Sequence, residues 1–378
     1  MNSGAFTVAA LGFIVVTLFV YFNYPISWRR NRMFKAVLIL WHIAGTASLI
    51  TVFTLYRHIP YEGVKYEIVR IGTFYYIMIT LLGIMFFLRR VSSRTYLFVM
   101  EQTGQVVDEQ QRRFIADKRL HAALFLAASF LICAVGFFNI DFLRDTHYEV
   151  HIPKSCAEDE LNICLIADIH AGSGNWEFTY DDLAELIDAS RPDVLLIAGD
   201  AFDETTSDSD VEYLGWALQT IKPPRFGSYF IYGNHDDAVE DWAAEQMRAL
   251  GVTVLKDETA LLGEDIQLVG RMDPKHKRLS AAELMAGLDR DKPILVLTHR
   301  PKGFQELADL GCDLAMAGHT HGFNIPQFLG ANLLQDTYYG IKRYGDMTAV
   351  TTSGVSAWGF HYKWPAVSEV VSIHVTFD

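Results

Sequence analysis

Five short apolar runs in the second half of this chain each end on residues that could hold a cation or move a proton. Residues 163–167 run into Asp168-Ile169-His170, and 194–198 into Gly199-Asp200, with Asp203 three positions on. Residues 229–232 run into Gly233-Asn234-His235-Asp236, 294–298 into His299, and 314–317 into Gly318-His319-Thr320-His321-Gly322. A mixed set of carboxylate, imidazole and amide donors suits Mn, Fe or Zn rather than Ca, and a carboxylate such as Asp200 can be shared between two cations. Two cations roughly 3.5–4 Å apart can activate water and clamp both the attacking and the leaving oxygen of a phosphoryl transfer. Asp-x-His alone is common, and a single Gly-Asn-His is usually a turn. Two imidazoles two residues apart between glycines are unusual away from metal or catalysis. Five of the 13 histidines fall at these run ends, where open α/β sheets place their ligands.

The runs have the length of buried strands and alternate with amphipathic segments, which predicts an α/β arrangement. Residues 147–152 and 161–167 read as two strands joined by the polar turn 154–160. Thr179 with Asp182 predicts a cap opening a helix to about Ser190. Further helices are expected near 211–221 and 238–250, the second stopped by Gly251. Ser280 with Glu283 caps another before a strand at 293–298, and the stretch from Met347 reads as alternating strands.

The first half has a different character. Up to Asp145 the chain holds 15 Lys+Arg against 8 Asp+Glu, and beyond it 17 against 37, so the front carries +7 and the back −20. A domain that acidic is a poor partner for nucleic acid and for anionic headgroups. Four uncharged apolar stretches, at about 5–22, 36–56, 71–88 and 120–138, match a hydrocarbon core of roughly 30 Å and are expected to cross it. The domains expected are therefore 1–145, a membrane region, and 146–378, a catalytic domain. Basic residues crowd two connections: Arg29, Arg30, Arg32 and Lys35 in one, and Arg89, Arg90, Arg94, Arg112, Arg113, Lys118 and Arg119 in the other. Such loops stay on the cytoplasmic side, which predicts a multi-pass protein of the inner membrane with its catalytic domain on the periplasmic or extracellular face. His42 and His121 read as helix–helix hydrogen-bonding groups. Cys156 and Cys164 read as free thiols, with pairing across the turn as the alternative in an exported domain.

Taken in order, Asp168-x-His170, Gly199-Asp200-x-x-Asp203, Gly233-Asn234-His235-Asp236, His299 and Gly318-His319-x-His321 resemble the motif set of the calcineurin-like metallophosphoesterase superfamily, in particular its bacterial membrane-anchored subgroup. The resemblance covers residues 147 to the carboxyl terminus and leaves the apolar stretches aside. It implies an α/β (α+β) two-sheet sandwich flanked by helices, here following a four-helix transmembrane region. It also implies two divalent ions, manganese first and iron or zinc next. Asp168, His170 and His321 would hold one ion, Asn234, His299 and His319 the other, with Asp200 between them. His235 would act on the phosphoryl oxygen or the leaving group, and Asp203 would orient a ligand or His235.

The implied activity is hydrolysis of a phosphomonoester, phosphodiester or pyrophosphate, including a lipid-linked one, by attack of metal-bound hydroxide. The partners expected are the lipid bilayer and a phosphorylated small molecule or lipid. Two alternatives stand beside it: a membrane sensor or scaffold that binds a phosphorylated ligand without turnover, and, with reversed topology, a cytoplasmic-face UDP-diacylglucosamine pyrophosphohydrolase. The chain departs from many relatives in following Gly322 with Phe323-Asn324. Within its acidic half it also carries a basic cluster, Arg271, Lys275, Lys277 and Arg278, a candidate for binding the substrate's phosphate. The aromatic stretch 358–364 is a candidate lining for an apolar substrate groove.

Overall fold

The computed structural model describes residues 3–55, 62–172, 177–203, 206–236, 240–275, 277–322, 335–358 and 361–378. The chain divides into two compact units, Met1–Val135 and Gly136–Asp378.

The first unit is helical. It contains α1 (Ser3–Asn23), the short α2 (Ile26–Arg30), α3 (Arg32–Leu55), α4 (Glu62–Thr103), α5 (Glu109–Ala116) and most of α6 (Lys118–Asp141). Among the described residues two helices, not the four expected, are long and apolar enough to cross a membrane: Ile68–Thr103 and Lys118–Asp141. In α1 the described side chains begin at Phe13, which leaves only the shorter apolar segment Phe13–Asn23. In α3 they end at residue 48 and include Arg32 and Lys35, so a full-length apolar window is missing there too. The third expected stretch is part of a 42-residue helix that continues past Arg89, Arg90 and Arg94 to Thr103. Helix α5 folds back beside it, with Asp108 capping its first turn and Arg89 donating to the Ile115 carbonyl at 2.6 Å. His42 Nδ1 meets the Tyr75 hydroxyl at 2.8 Å, a helix–helix hydrogen bond of the expected kind.

The second unit is a sandwich. Its elements are β1 (Leu143–Ile152), β2 (Glu160–Ile166), α7 (Glu177–Ser190), β3 (Val194–Ile197), α8 (Asp208–Thr220), β4 (Ser228–Phe230), α9 (Glu240–Ala249) and β5 (Thr253–Val254). These are followed by β6 (Glu258–Leu262), β7 (Ile266–Arg271), α10 (Ala281–Met285), β8 (Ile294–Thr298), α11 (Phe304–Asp309), β9 (Leu314–Ala317), β10 (Gly340–Tyr344), β11 (Met347–Thr351) and β12 (Ser368–Phe377). They form two mixed six-stranded sheets, ordered β1-β12-β2-β3-β4-β5 and β10-β11-β9-β8-β7-β6.

Strand alternation sorts the core into three layers. Leu165, Leu196, Leu297 and Met316 face between the sheets. Cys164, Ile166, Leu195 and Ile197, on the opposite faces of β2 and β3, pack with Leu183, Leu214 and Met247 of α7, α8 and α9. Val269, Ile294 and Val296 of the other sheet pack with Leu284 of α10 and Phe304 of α11. Strands buried on both faces read as unbroken apolar runs, which is why the short runs were legible as strands.

Two local expectations shift, the start of α7 and the pairing of β1 with β2. Helix α7 begins at Glu177, so Thr179 lies inside it rather than at its cap, and the Thr179 side chain lies outside the described residues. The Ser280–Glu283 capping box forms as expected. The two strands β1 and β2 do not pair with each other, because β12 lies between them, parallel to β1 and antiparallel to β2. All four cysteines are free, and Cys164 is buried in β2 with its thiol pushed up to about 12 by burial.

Candidate metal centre

The five motif loops meet at neighbouring strand ends of the two sheets. Loops after β2 and β3 are laced together: Asp168 N donates to Gly199 O and His170 N to Asp200 O, both at 3.0 Å. The turn after β3 fits closely against the one after β4. A Cβ on Gly199 (φ +85°) would stand 2.5 Å from Gly233 N and 2.8 Å from His299 Nδ1. Asp236 fastens the same junction, its carboxylate accepting the backbone amides of Asp200 (2.6 Å), Gly233 (2.8 Å) and Phe202 (3.0 Å). From the second sheet, Gly318 N donates to His299 O, and His319 N donates to Asp168 Oδ2 at 2.8 Å.

Two groups of ligand-type side chains result, Asp168–His170–His321 and Asp200–His299–His319, each with its donor atoms within 4.8 Å of one another and all six residues buried. Asp200 faces both. Its Oδ2 lies 3.1 Å from His299 Nε2 and 3.8 Å from His170 Nε2, while its Oδ1 accepts the His235 amide at 2.7 Å. Seven non-glycine residues have positive φ among those described, and five of them are Asp168, His170, Asp200, His319 and His321, at 46° to 72°. Such conformations cost of order 1–3 kcal/mol each and persist where surrounding bonds over-determine them.

The donors fit a bound cation. Asp168 Oδ1, His170 Nε2, Asn234 Oδ1 and His319 Nε2 are buried without a hydrogen-bond partner among the described residues, a costly arrangement unless something binds there. Two imidazoles have an outer nitrogen hydrogen-bonded, His299 Nδ1 to Ala198 O (2.7 Å) and His321 Nδ1 to Ser356 O (3.3 Å), and His170 Nδ1 faces Asp203 Oδ2 at 3.4 Å. Each is thereby oriented with Nε2 inward, as metal-ligating histidines are. Burial resists charge on His299, yet Asp200 more than offsets it and lifts that imidazole to about 10. Burial and the His299 charge push His319 down to about 3.

Asp203 therefore lies beside His170, one of the ligand-type side chains. Asn234 sits between Gly233, whose amide donates to Asp236, and His235, whose amide donates to Asp200, and its own backbone carbonyl accepts Lys275 Nζ at 3.0 Å. The His235 ring lies 5.1 Å from that of His170 and 4.7 Å from the half-exposed Trp358 indole.

The basic cluster divides. Lys275 reaches this rim. Arg271 is 3% exposed, and Arg278 donates to the Met272 carbonyl at 2.9 Å. Lys277 is exposed. Residues 323 and 324 and residues 359–360 of the aromatic stretch lie outside the described residues. Sequence reading missed Arg300, which follows His299 and is held by the buried Asp273 at 2.6 and 3.2 Å; its adjacency to a candidate ligand histidine was the available signal. It left Asp236 open, although three amide donors make that side chain part of the frame.

Two buried groups of ligand-type side chains, with Asp200 facing both, stand at the loop ends of the stacked sheets, an arrangement of the kind that two-metal sites use. Residues 161–323 match the calcineurin-like phosphoesterase family. Relatives include an uncharacterized metallophosphoesterase of Helicobacter pylori, 26% identical over 75% of this chain and 80% of that protein. A transmembrane protein with metallophosphoesterase domain from Danio rerio is 27% identical over 60% of this chain and 56% of its own length. Phosphodiesterase YaeI of Escherichia coli is 25% identical over 58% of this chain and 76% of its own. The chain carries a calcineurin-like metallophosphoesterase domain and is a metal-dependent phosphoesterase. Its apolar helices, with relatives named as transmembrane proteins, support membrane association.

Proposed function

We propose that this protein is a membrane-anchored phosphoesterase that hydrolyses a phosphodiester, phosphomonoester or pyrophosphate, including a lipid-linked one, outside the cytoplasm. The observation that carries the chemistry is Asp200, a buried carboxylate facing both histidine groups. Asp168, His170 and His321 would hold one ion, Asn234, His299 and His319 the other, and Asp200 would join them. Manganese is the first choice, since the donors mix nitrogen and oxygen and lack thiolate. When bound, the ions would supply an acidified water and positive charge for the phosphoryl oxygens.

The protein's own groups supply the rest. Asp203 would keep His170 in one tautomer by facing its Nδ1–H as a hydrogen-bond acceptor. His235, anchored through its amide to Asp200, stands where it can donate a proton to a leaving oxygen. Lys275 offers an ammonium beside Asn234 for a phosphate oxygen. Trp358 offers an apolar face next to His235, which suits a substrate with an organic group on the leaving side, and the relative named a phosphodiesterase supports that preference.

The outward placement rests on the basic stretch that runs from the end of the apolar part of α4, through α5, to the first residues of α6. Arg89, Arg90, Arg94, Arg112, Arg113, Lys118 and Arg119 fall there, and such a loop is retained inside. Activity of the detergent-solubilised chain with Mn²⁺ against bis(p-nitrophenyl) phosphate, p-nitrophenyl phosphate and a polyprenyl diphosphate tests the reading. Metal-dependent turnover of at least one supports it, with the diester preferred. A chain holding two Mn²⁺ yet inert toward all three would favour a non-catalytic binding role instead.

A further inference from the structure

The buried Lys363 and Glu369 lie outside the motif loops, and both have no exposed surface. Lys363 Nζ donates to the carbonyls of Ser353 (2.8 Å) and Gly354 (2.5 Å). Glu369 Oε1 accepts Thr352 Oγ1 and Ser353 N, both at 2.9 Å, and its backbone N–H donates to Gly354 O at 3.1 Å. Its other oxygen accepts Thr146 Oγ1 at 2.6 Å. Two opposite charges thus strap one loop, 352–356, that follows β11.

That loop lies against one donor group. Val355 N donates to Ala167 O (2.9 Å) and Ser356 N to Asp168 O (3.0 Å), while Ser356 O engages His321 Nδ1. At Gly354 (φ +80°) an added Cβ would lie 2.6 Å from Asp168 Cβ and 2.9 Å from its Oδ2. Two of the three residues in the Asp168–His170–His321 group are therefore fixed from behind by the strapped loop. The Asp200–His299–His319 group is bonded instead to Ala198, Gly318, His235 and Asp236, through His319 N to Asp168, and within itself. The segment carrying Lys363 is itself pinned on its far side. Lys363 N donates to Gly136 O, Asn139 Nδ2 to Ala366 O and Ser368 Oγ to Ile140 O, at 3.0 to 3.1 Å, and His361 Nε2 meets Asp141 Oδ1 at 2.5 Å.

We propose that Lys363 and Glu369 are positioning residues for one ion alone, the one held by Asp168, His170 and His321, which they serve by fixing the loop 352–356. A lysine suits the task because one Nζ can donate to two carbonyls that converge behind Asp168, with the Asp168 and Glu369 carboxylates both near enough to favour its charged form. The inference rests on reading those three residues as ion ligands.

The test uses the full-length protein in detergent, stripped of metal and titrated with Mn²⁺, with calorimetry for affinities and electron paramagnetic resonance for the coupled pair of ions. Lys363→Met and the milder Glu369→Gln are compared with Lys154→Met, which breaks an ion pair to Asp313 elsewhere in the same domain. The expected result is that one Mn²⁺ binds about 10- to 100-fold more weakly in the first two variants, the other within about threefold of wild type, and a signal from single Mn²⁺ ions replaces the coupled one at intermediate loading. Lys154→Met should lower the melting temperature and leave both affinities unchanged. Equal weakening of both ions, or a lowered melting temperature with both affinities kept, overturns the positioning role while leaving the metal site intact. A wild-type chain that binds no Mn²⁺ overturns the ligand reading and this inference together.

Discussion

Asp200 Oδ2 and His299 Nε2 face each other at 3.1 Å with both side chains shut off from solvent. The imidazole's other nitrogen is committed to Ala198 O, so Nε2 is the atom left for this carboxylate. The pocket thus favours positive charge where the ions would sit, and filling it should stabilise the fold. A ligand bound only by the native state adds RT ln(1 + [L]/Kd), about 4 kcal/mol at a thousand times Kd. Removing metal with a chelator should lower the melting temperature of the catalytic domain by several degrees, and added Mn²⁺ should restore it. Identical melting curves with and without metal would count against a site in this pocket.

His235 has a separable role, because its ring stands beside the donor groups rather than within either. His235→Ala should keep two metal ions and lose about 10²- to 10⁴-fold in rate, the usual contribution of a positioned proton donor. The loss should shrink for substrates with acidic leaving groups, which need no proton. A rate that falls equally for p-nitrophenol and alkyl leaving groups would remove His235 from that step.

Much of this centre was legible because its ligands stand at the ends of strands buried on both faces, where a short apolar run stops at a polar residue. Pairing between distant strands was not legible. Nothing local to residues 143–152 or 160–166 announces that β12, two hundred positions on, will separate them. The helical span of α4 was underestimated for another reason: arginines at 89, 90 and 94 end an apolar stretch but not a helix, since their straight side chains suit helical backbone. Lys363 lay within a stretch that reads as aromatic, and only the converging carbonyls of Ser353 and Gly354 explain a buried charge there.

On the outer face of the first sheet, His374 of β12 sits between Glu149 of β1 and Glu160 of β2, at 2.7 and 3.2 Å. Those hydrogen bonds raise its pKa above the ordinary value of 6.5. A raised folded value means that the native state binds the proton more tightly. The resulting stability is full below about pH 6.5 and disappears as pH rises through the folded value. Because the group is exposed, the effect is small and screened by salt. Urea unfolding of wild type and His374→Gln should differ near pH 5.5 and converge near pH 8.5, whereas a constant gap would mean that the ion pairs contribute nothing.

Orientation can be read from reporter fusions. Alkaline phosphatase joined after Asp378 or Glu62 should be active, and after Arg119 silent, if the basic connection between α4 and α6 stays inside. The reverse pattern would place the catalytic domain in the cytoplasm and return cytosolic nucleotide-linked lipids to the candidate substrates.

The central claim is that Asp200 joins two metal ions, and the most direct measurement is metal content together with turnover in Asp200→Asn. An amide of the same shape cannot supply the shared negative charge. The variant should purify with one metal ion or fewer and show no measurable hydrolysis, beside a wild type that holds two. Two ions per chain and undiminished turnover in Asp200→Asn would contradict the account.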